Sequence, residues 1–208
     1  ADWRDLAEPT RMGVIHAAHA RGKETFSFEY ERAWLESEQA RLIDPALGLH
    51  RGPQYVPDGR ENFGVFLDSS PDRWGRVLID RREALLAREQ ERKERRLFEL
   101  DYLLGVYDGH RLGGLRYRVD GGPFLDDDAT LASPPWTSLE ALEQASLHLE
   151  RDDAESQRGY AKWLRMLVAP GRSLGGARPK ASVLDAHQAL WIAKFPSRDD
   201  VEDQGAWE

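Results

Sequence analysis

Ser70-Pro71-Asp72 is the feature that most constrains what this chain can fold into. Serine at an N-cap, proline at the first helical position and aspartate in the first turn together start a helix. Trp74, Val77, Leu78, Leu85 and Leu86 then recur at helical spacing. Beyond Leu86 the segment is almost wholly charged as far as Arg96, with Glu89 and Lys93, and Glu91 and Arg95, spaced as favourable i, i+4 pairs. That mixed-sign pattern reads as a solvated helix end or connector, with a basic interaction surface as the lesser alternative.

The rest of the chain switches between two periodicities. Residues 12–30 read as a hairpin, with Gly22-Lys23 as the turn and Thr25-Phe26-Ser27-Phe28-Glu29-Tyr30 as an alternating strand. Residues 31–41 suit a short helix carrying Trp34 and Leu35. Residues 44–64 are dense in proline and glycine and read as loop with one short strand. Residues 97–106 place Leu97, Leu100, Leu103 and Leu104 on one helix face, and residues 112–119 alternate as a strand. Residues 120–137 are the best candidate linker. Their Asp126-Asp127-Asp128 run lacks the spaced ligands of an EF-hand, which argues against calcium. Two helices follow, over about 138–149 and 154–168, then strands near 179–185 and 189–195 and a helix from Val201. The expected class is α+β.

Composition excludes several functions. The 208 residues carry a formal net charge of -8, against a general nucleic-acid binder, which needs clustered Lys and Arg. There is no cysteine, so disulfides, thiolate zinc sites and cysteine nucleophiles are out. No apolar run approaches the roughly 20 residues that span a bilayer, and the first residues carry no signal-peptide pattern. A cytoplasmic protein without membrane contact is the expectation. Both ends look cut, since the chain starts at Ala1 and residues 201–208 read as an unfinished helix.

His16 and His19, three apart on a strand, would point to opposite faces and are read as structural. No carboxylate pair stands out for general acid–base work. Of the seven tryptophans, Trp74, Trp163 and Trp191 are read as core, whereas Trp34 and Trp136 flank loops and suit a groove. The strongest chemical candidate is the turn around Gly175-Gly176-Ala177. Glycines let backbone N–H groups approach an anion. Arg172, Arg178 and Lys180 surround the turn with positive charge in an otherwise acidic chain. Lys194 follows on the next strand beside Ile192, Ala193 and Phe195, where a lysine needs an anion or an escape to water. Glu208, in the following helix, is a candidate for that anion. A glycine-rich loop, a strand lysine and a helix glutamate are the arrangement of a kinase N-lobe, although the loop is neither a Walker A motif nor G-x-G-x-x-G.

At these residues the chain resembles the HipA-like serine/threonine kinases, toxins of bacterial toxin–antitoxin pairs. The resemblance rests on S-L-G-G-A-R-P-K-A at 173–181, L-W-I-A-K-F-P-S at 190–197 and D-V-E-D-Q-G-A-W-E at 200–208. Earlier segments add to it: F-S-F-E-Y at 26–30, F-G-V-F-L-D-S-S-P-D-R-W-G-R at 63–76, D-Y-L-L-G-V at 101–106 and L-G-G-L-R-Y at 112–117. It implies a HipA-type N-terminal subdomain over residues 1–130. Residues 131–208 would then begin a kinase-like core, truncated after its first strands.

By the same resemblance Lys194 contacts nucleotide phosphates, Gly175, Gly176 and Ala177 cover them, and Glu208 pairs with Lys194; Lys180, one of the cations around the turn, is assigned to the same nucleotide site. Ser173 matches the serine whose autophosphorylation ejects the loop. The implied cofactors are ATP and magnesium. The implied partners are a DNA-binding antitoxin and a protein substrate, of which an aminoacyl-tRNA synthetase is the best known in the family. No direct nucleic-acid binding is expected. The catalytic-loop and metal-binding aspartates of such a kinase would lie beyond Glu208, and Asp199, Asp200 and Asp203 are poor substitutes. No catalytic residue is therefore assigned in this chain, and none of its residues is assigned to metal. The alternative is a non-catalytic regulatory or docking module that binds a kinase core or an antitoxin.

Overall fold

The fold is taken from a computed structural model that describes residues 1–111, 113–124, 138–171, 176 and 178–198. The N-terminal sheet is a hairpin of β1 (Gly13–Ala20) and β2 (Lys23–Tyr30), joined on its other side by the short β3 (Gln54–Tyr55). All pairings are antiparallel. Ala20 pairs with Lys23, so the two-residue loop is Arg21-Gly22, one position before the expected turn. Both loop residues have positive φ (53° and 76°), the backbone that matches strand twist in a tight hairpin.

β2 alternates as its sequence requires. Phe26, Phe28 and Tyr30 are buried, and the last two join Met12, Trp34, Leu47, Phe63, Phe66, Leu103 and Leu115 in a first core. The rings meet edge-on, with Phe28 4.8 Å from Tyr30 and Phe63 5.8 Å from Phe66, the arrangement aromatic quadrupoles favour. Trp34 sits on the one-turn α1 (Arg32–Leu35) and is only 1% exposed, so it anchors this core rather than lining a groove. Trp136 lies outside the described residues, as does the Asp126–Asp128 run.

After α2 (Gly64–Asp68) comes the long α3 (Arg73–Glu89). Its N-cap is Asp72, not Ser70, whose hydroxyl donates back to the Phe66 carbonyl at 2.9 Å. α3 also ends sooner than the charged run suggests. Glu91 takes a left-handed φ of 51°, and the amides of Glu91 and Arg92 turn back to the carbonyls of Arg88 and Ala87. This is a Schellman closure without glycine. The two i, i+4 pairs read from the sequence have no helix to form on, and Glu89 instead meets Arg165 of a later helix.

α4 (Glu99–Leu104) follows, shorter than the expected 97–106. The described part of 112–119 is not a strand: only an isolated bridge joins Arg118 to Phe124. Its alternation still directs Leu115 into the core. The backbone of Gly114 is taken by the chain start, where the Asp2 amide donates to its carbonyl at 2.8 Å.

The second core joins distant segments. Trp74 and Leu78 of α3 pack with Leu142, Ala145 and Leu149 of α5 (Leu139–Leu149), and with Leu164, Leu167 and Val168 of α6 (Tyr160–Gly171). A second hairpin, β4 (Lys180–Leu184) and β5 (Leu190–Lys194), closes it through Ala181 and Val183. The whole is mixed helix and small antiparallel sheets, an α+β arrangement. Among the described residues no helix is long and apolar enough to cross a membrane.

Candidate functional site

Gly176 lies where the start of α3 and the start of β4 meet. Gly176 has φ +90°, a backbone that side chains with a Cβ rarely adopt. Its N–H donates to Asp72 Oδ2 at 2.6 Å, and its carbonyl accepts from the Trp74 amide at 3.2 Å. The Trp74 indole, itself 5% exposed, donates to the Lys180 carbonyl at 3.1 Å. The first turn of α3 therefore holds both ends of the segment from Gly176 to Lys180.

Two lysines lie on the hairpin that follows it. The β4–β5 register sets Lys180 directly opposite Lys194, so both side chains leave the same face of the hairpin. Lys180 Nζ comes within 2.6 Å of where a Cβ on Gly176 would stand. Like charges directly opposite on a sheet repel one another. That face therefore carries two cations, with Lys180 beside the Gly176 backbone.

The surroundings of Lys194 differ from the sequence expectation. Ile192 is 51% exposed, Lys194 is itself exposed, and only Phe195 is buried among its near neighbours. Burial therefore makes no demand for a compensating anion at Lys194. Gly175, Ala177, Ser173, Arg172 and Glu208 lie outside the described residues, as do Asp199, Asp200 and Asp203.

The tip of the same hairpin is built around Asp185. Its Oδ1 accepts the amides of His187 (2.8 Å) and Ala189 (2.9 Å), and its Oδ2 accepts the Trp191 indole N–H at 2.9 Å. The indole bond, helped by the Ala189 amide, lowers the Asp185 carboxyl below the ordinary aspartate value. Trp191 is thus not core: it is 57% exposed, flanked by exposed Leu190 and Ile192, and pinned in place. Trp74 is buried, and Trp163 packs against the second core with its ring stacked 4.0 Å over His148.

A separate groove of about 450 Å³ runs along α3 between Asp80 and Arg92. Its arginines are already engaged: Arg81 by the Leu149 carbonyl, Arg88 by Glu155 and the Tyr160 ring, and Arg92 by Glu83. His19 pairs with Glu24 across β1 and β2, 3.0 Å apart. Among the described residues no group of three or more metal-capable side chains gathers.

Sequence reasoning missed Asp72 and Trp74 as parts of this site. The Asp72–Gly176 contact spans 104 positions, and the local sequence of α3 accounts for both residues as ordinary helix-start and core residues. No family model, no curated protein and no solved structure matches the chain.

Proposed function

We propose that the chain is the N-terminal portion of a HipA-like serine/threonine kinase, and that Gly176, Lys180 and Lys194 bind nucleotide phosphates. One observation carries this reading: Lys180 and Lys194 stand opposite each other on one face of a hairpin, with Lys180 beside Gly176. The donor set suits a polyphosphate, which offers several anionic oxygens to ammonium groups and to backbone N–H. Gly175 and Ala177 would complete the loop, Glu208 would pair with Lys194, and Ser173 would take the regulatory phosphate. In the intact protein the reaction is phosphoryl transfer from magnesium-ATP to a protein serine, with a DNA-binding antitoxin as partner and an aminoacyl-tRNA synthetase as a candidate substrate.

The test is titration calorimetry of the 208-residue chain with ADP. Binding is expected, and Lys194→Ala should weaken it by about tenfold or more, the size of one lost charge-assisted contact. Equal binding by wild type and Lys194→Ala would remove the phosphate reading.

The second reading, a docking module, has its own support in the pinned and exposed Trp191. Rigid aromatic side chains of this kind dominate protein interfaces. A chain that binds no ADP, yet binds a purified antitoxin or kinase core in a Trp191-dependent way, would favour it.

A further inference from the structure

We infer that Asp72 is a built-in competitor for the anion site: its carboxylate occupies the Gly176 N–H that an incoming phosphate would use. The inference rests on the phosphate reading of the glycine turn and adds a regulatory element to it.

The geometry gives Asp72 two alternative sets of partners. It stands at the N-cap of a 17-residue helix, where an aspartate side chain normally accepts amides of its own first turn. Here it makes no such capping bond. Its Oδ2 instead accepts from Gly176 N–H at 2.6 Å, 104 positions away. An anion is therefore already seated on the turn, supplied by the protein.

Displacing it need not undock the turn. The Trp74 amide holds the Gly176 carbonyl, and the Trp74 indole holds the Lys180 carbonyl. Neither bond uses a donor that a phosphate needs. When a phosphate oxygen takes the Gly176 N–H, the carboxylate is repelled and can return to cap α3. The first turn of α3 thus has two states, one with Asp72 on the loop and one with Asp72 on the helix. Occupancy of the site selects between them, as a switch requires. Because α3 also contributes Trp74 and Leu78 to the second core, the helix start is a direct route from the anion site to the body of the molecule.

Two variants of the full chain test this. Asp72→Ala removes the acceptor, and without ligand the hydrogen exchange of the Gly176 amide should speed up by about tenfold or more. Unchanged exchange means the contact does not hold the loop, and the inference falls. Asp72→Asn removes the charge at nearly constant shape, and ADP should bind it about tenfold more tightly than wild type at equal salt. Equal or weaker binding would overturn the competition. If exchange speeds up while ADP binds none of the three proteins, the Asp72 contact is upheld and the nucleotide reading is what fails. Far-UV circular dichroism checks that both variants are folded, which the exposed position of Asp72 favours.

Discussion

Glu83 and Arg92 form a two-pronged ion pair, Nη1 to Oε1 at 2.5 Å and Nη2 to Oε2 at 3.0 Å, and it sets the path of the chain after α3. The Glu83 side chain is only 8% exposed, and its Oε1 also accepts the Arg95 amide at 2.9 Å. A charged tail that would otherwise continue as helix is thereby folded back over the helix that precedes it.

The pair predicts a stability effect. Glu83→Ala should cost about 1.5–3 kcal/mol, the range for hydrogen bonds to charged groups, since Arg92 can turn to water while the Arg95 amide loses its acceptor. Urea denaturation measures it. A midpoint unchanged from wild type would mean that the tail is held elsewhere.

The same residue predicts an acid limb. Arg92, with the Arg95 amide, holds the Glu83 carboxyl down to about 2, below its ordinary 4.5. Its folded value is depressed, so its contribution is fully present above pH 4.5 and is lost as pH falls through about 2. Wild type should lose stability across that window more steeply than Glu83→Gln does.

Glu24 has the opposite sign. Its side chain is 5% exposed, and burial raises its carboxyl above 4.5 despite the Leu100 amide and His19. An acid with a raised folded value costs stability once ionised, so the cost is absent below pH 4.5 and grows as pH rises through the folded value. Glu24→Gln, which can still accept the Leu100 amide, should be more stable than wild type near pH 8 and equal to it near pH 4. A variant less stable at both pH values would show that the His19 pair outweighs burial.

Gly176→Ala should lower the thermal midpoint. The φ of +90° costs an alanine about 1–3 kcal/mol, and the new Cβ must also push the Lys180 ammonium aside. At this chain length that corresponds to a drop of several degrees. Gly22→Ala meets no neighbouring atom and has a less extreme φ of +76°, so it should cost less.

Trp191 should be dispensable for folding. At 57% exposure, Trp191→Ala is expected to change stability by less than about 1 kcal/mol. In 5-fluorotryptophan-labelled protein the Trp191 signal should move as pH falls through the Asp185 carboxyl, below 3.8, because protonation weakens the indole bond. Asp185→Ala should abolish that titration. A signal that titrates at or above 3.8 would contradict the assigned contact.

Local chemistry made much of the architecture legible. The alternation at 25–30 located β2, and the stripe from Trp74 to Leu86 located α3. The hairpin at 179–195 emerged within a residue at each end. In each case the period of the side chains and the backbone hydrogen bonds ask for the same structure. Errors arose where a distant residue intervened. Residues 112–119 alternate like a strand, but the chain start takes the Gly114 carbonyl and no ladder forms among the described residues 113–119. Residues 89–96 are good helix formers, but buried Glu83 collects Arg92 and the Arg95 amide.

What the sequence by itself determined is β2, the start of α3, the closing hairpin and the residue types around Gly176: small residues, nearby cations and a strand lysine. Tertiary structure alone decided which groups meet there. Register placed Lys180 opposite Lys194, packing left Trp191 exposed and Trp34 buried, and the docking of α3 brought Asp72 onto Gly176. Propensity and periodicity act over a few residues, whereas these contacts close loops of up to 104 positions, whose partners are chosen only when the whole chain packs.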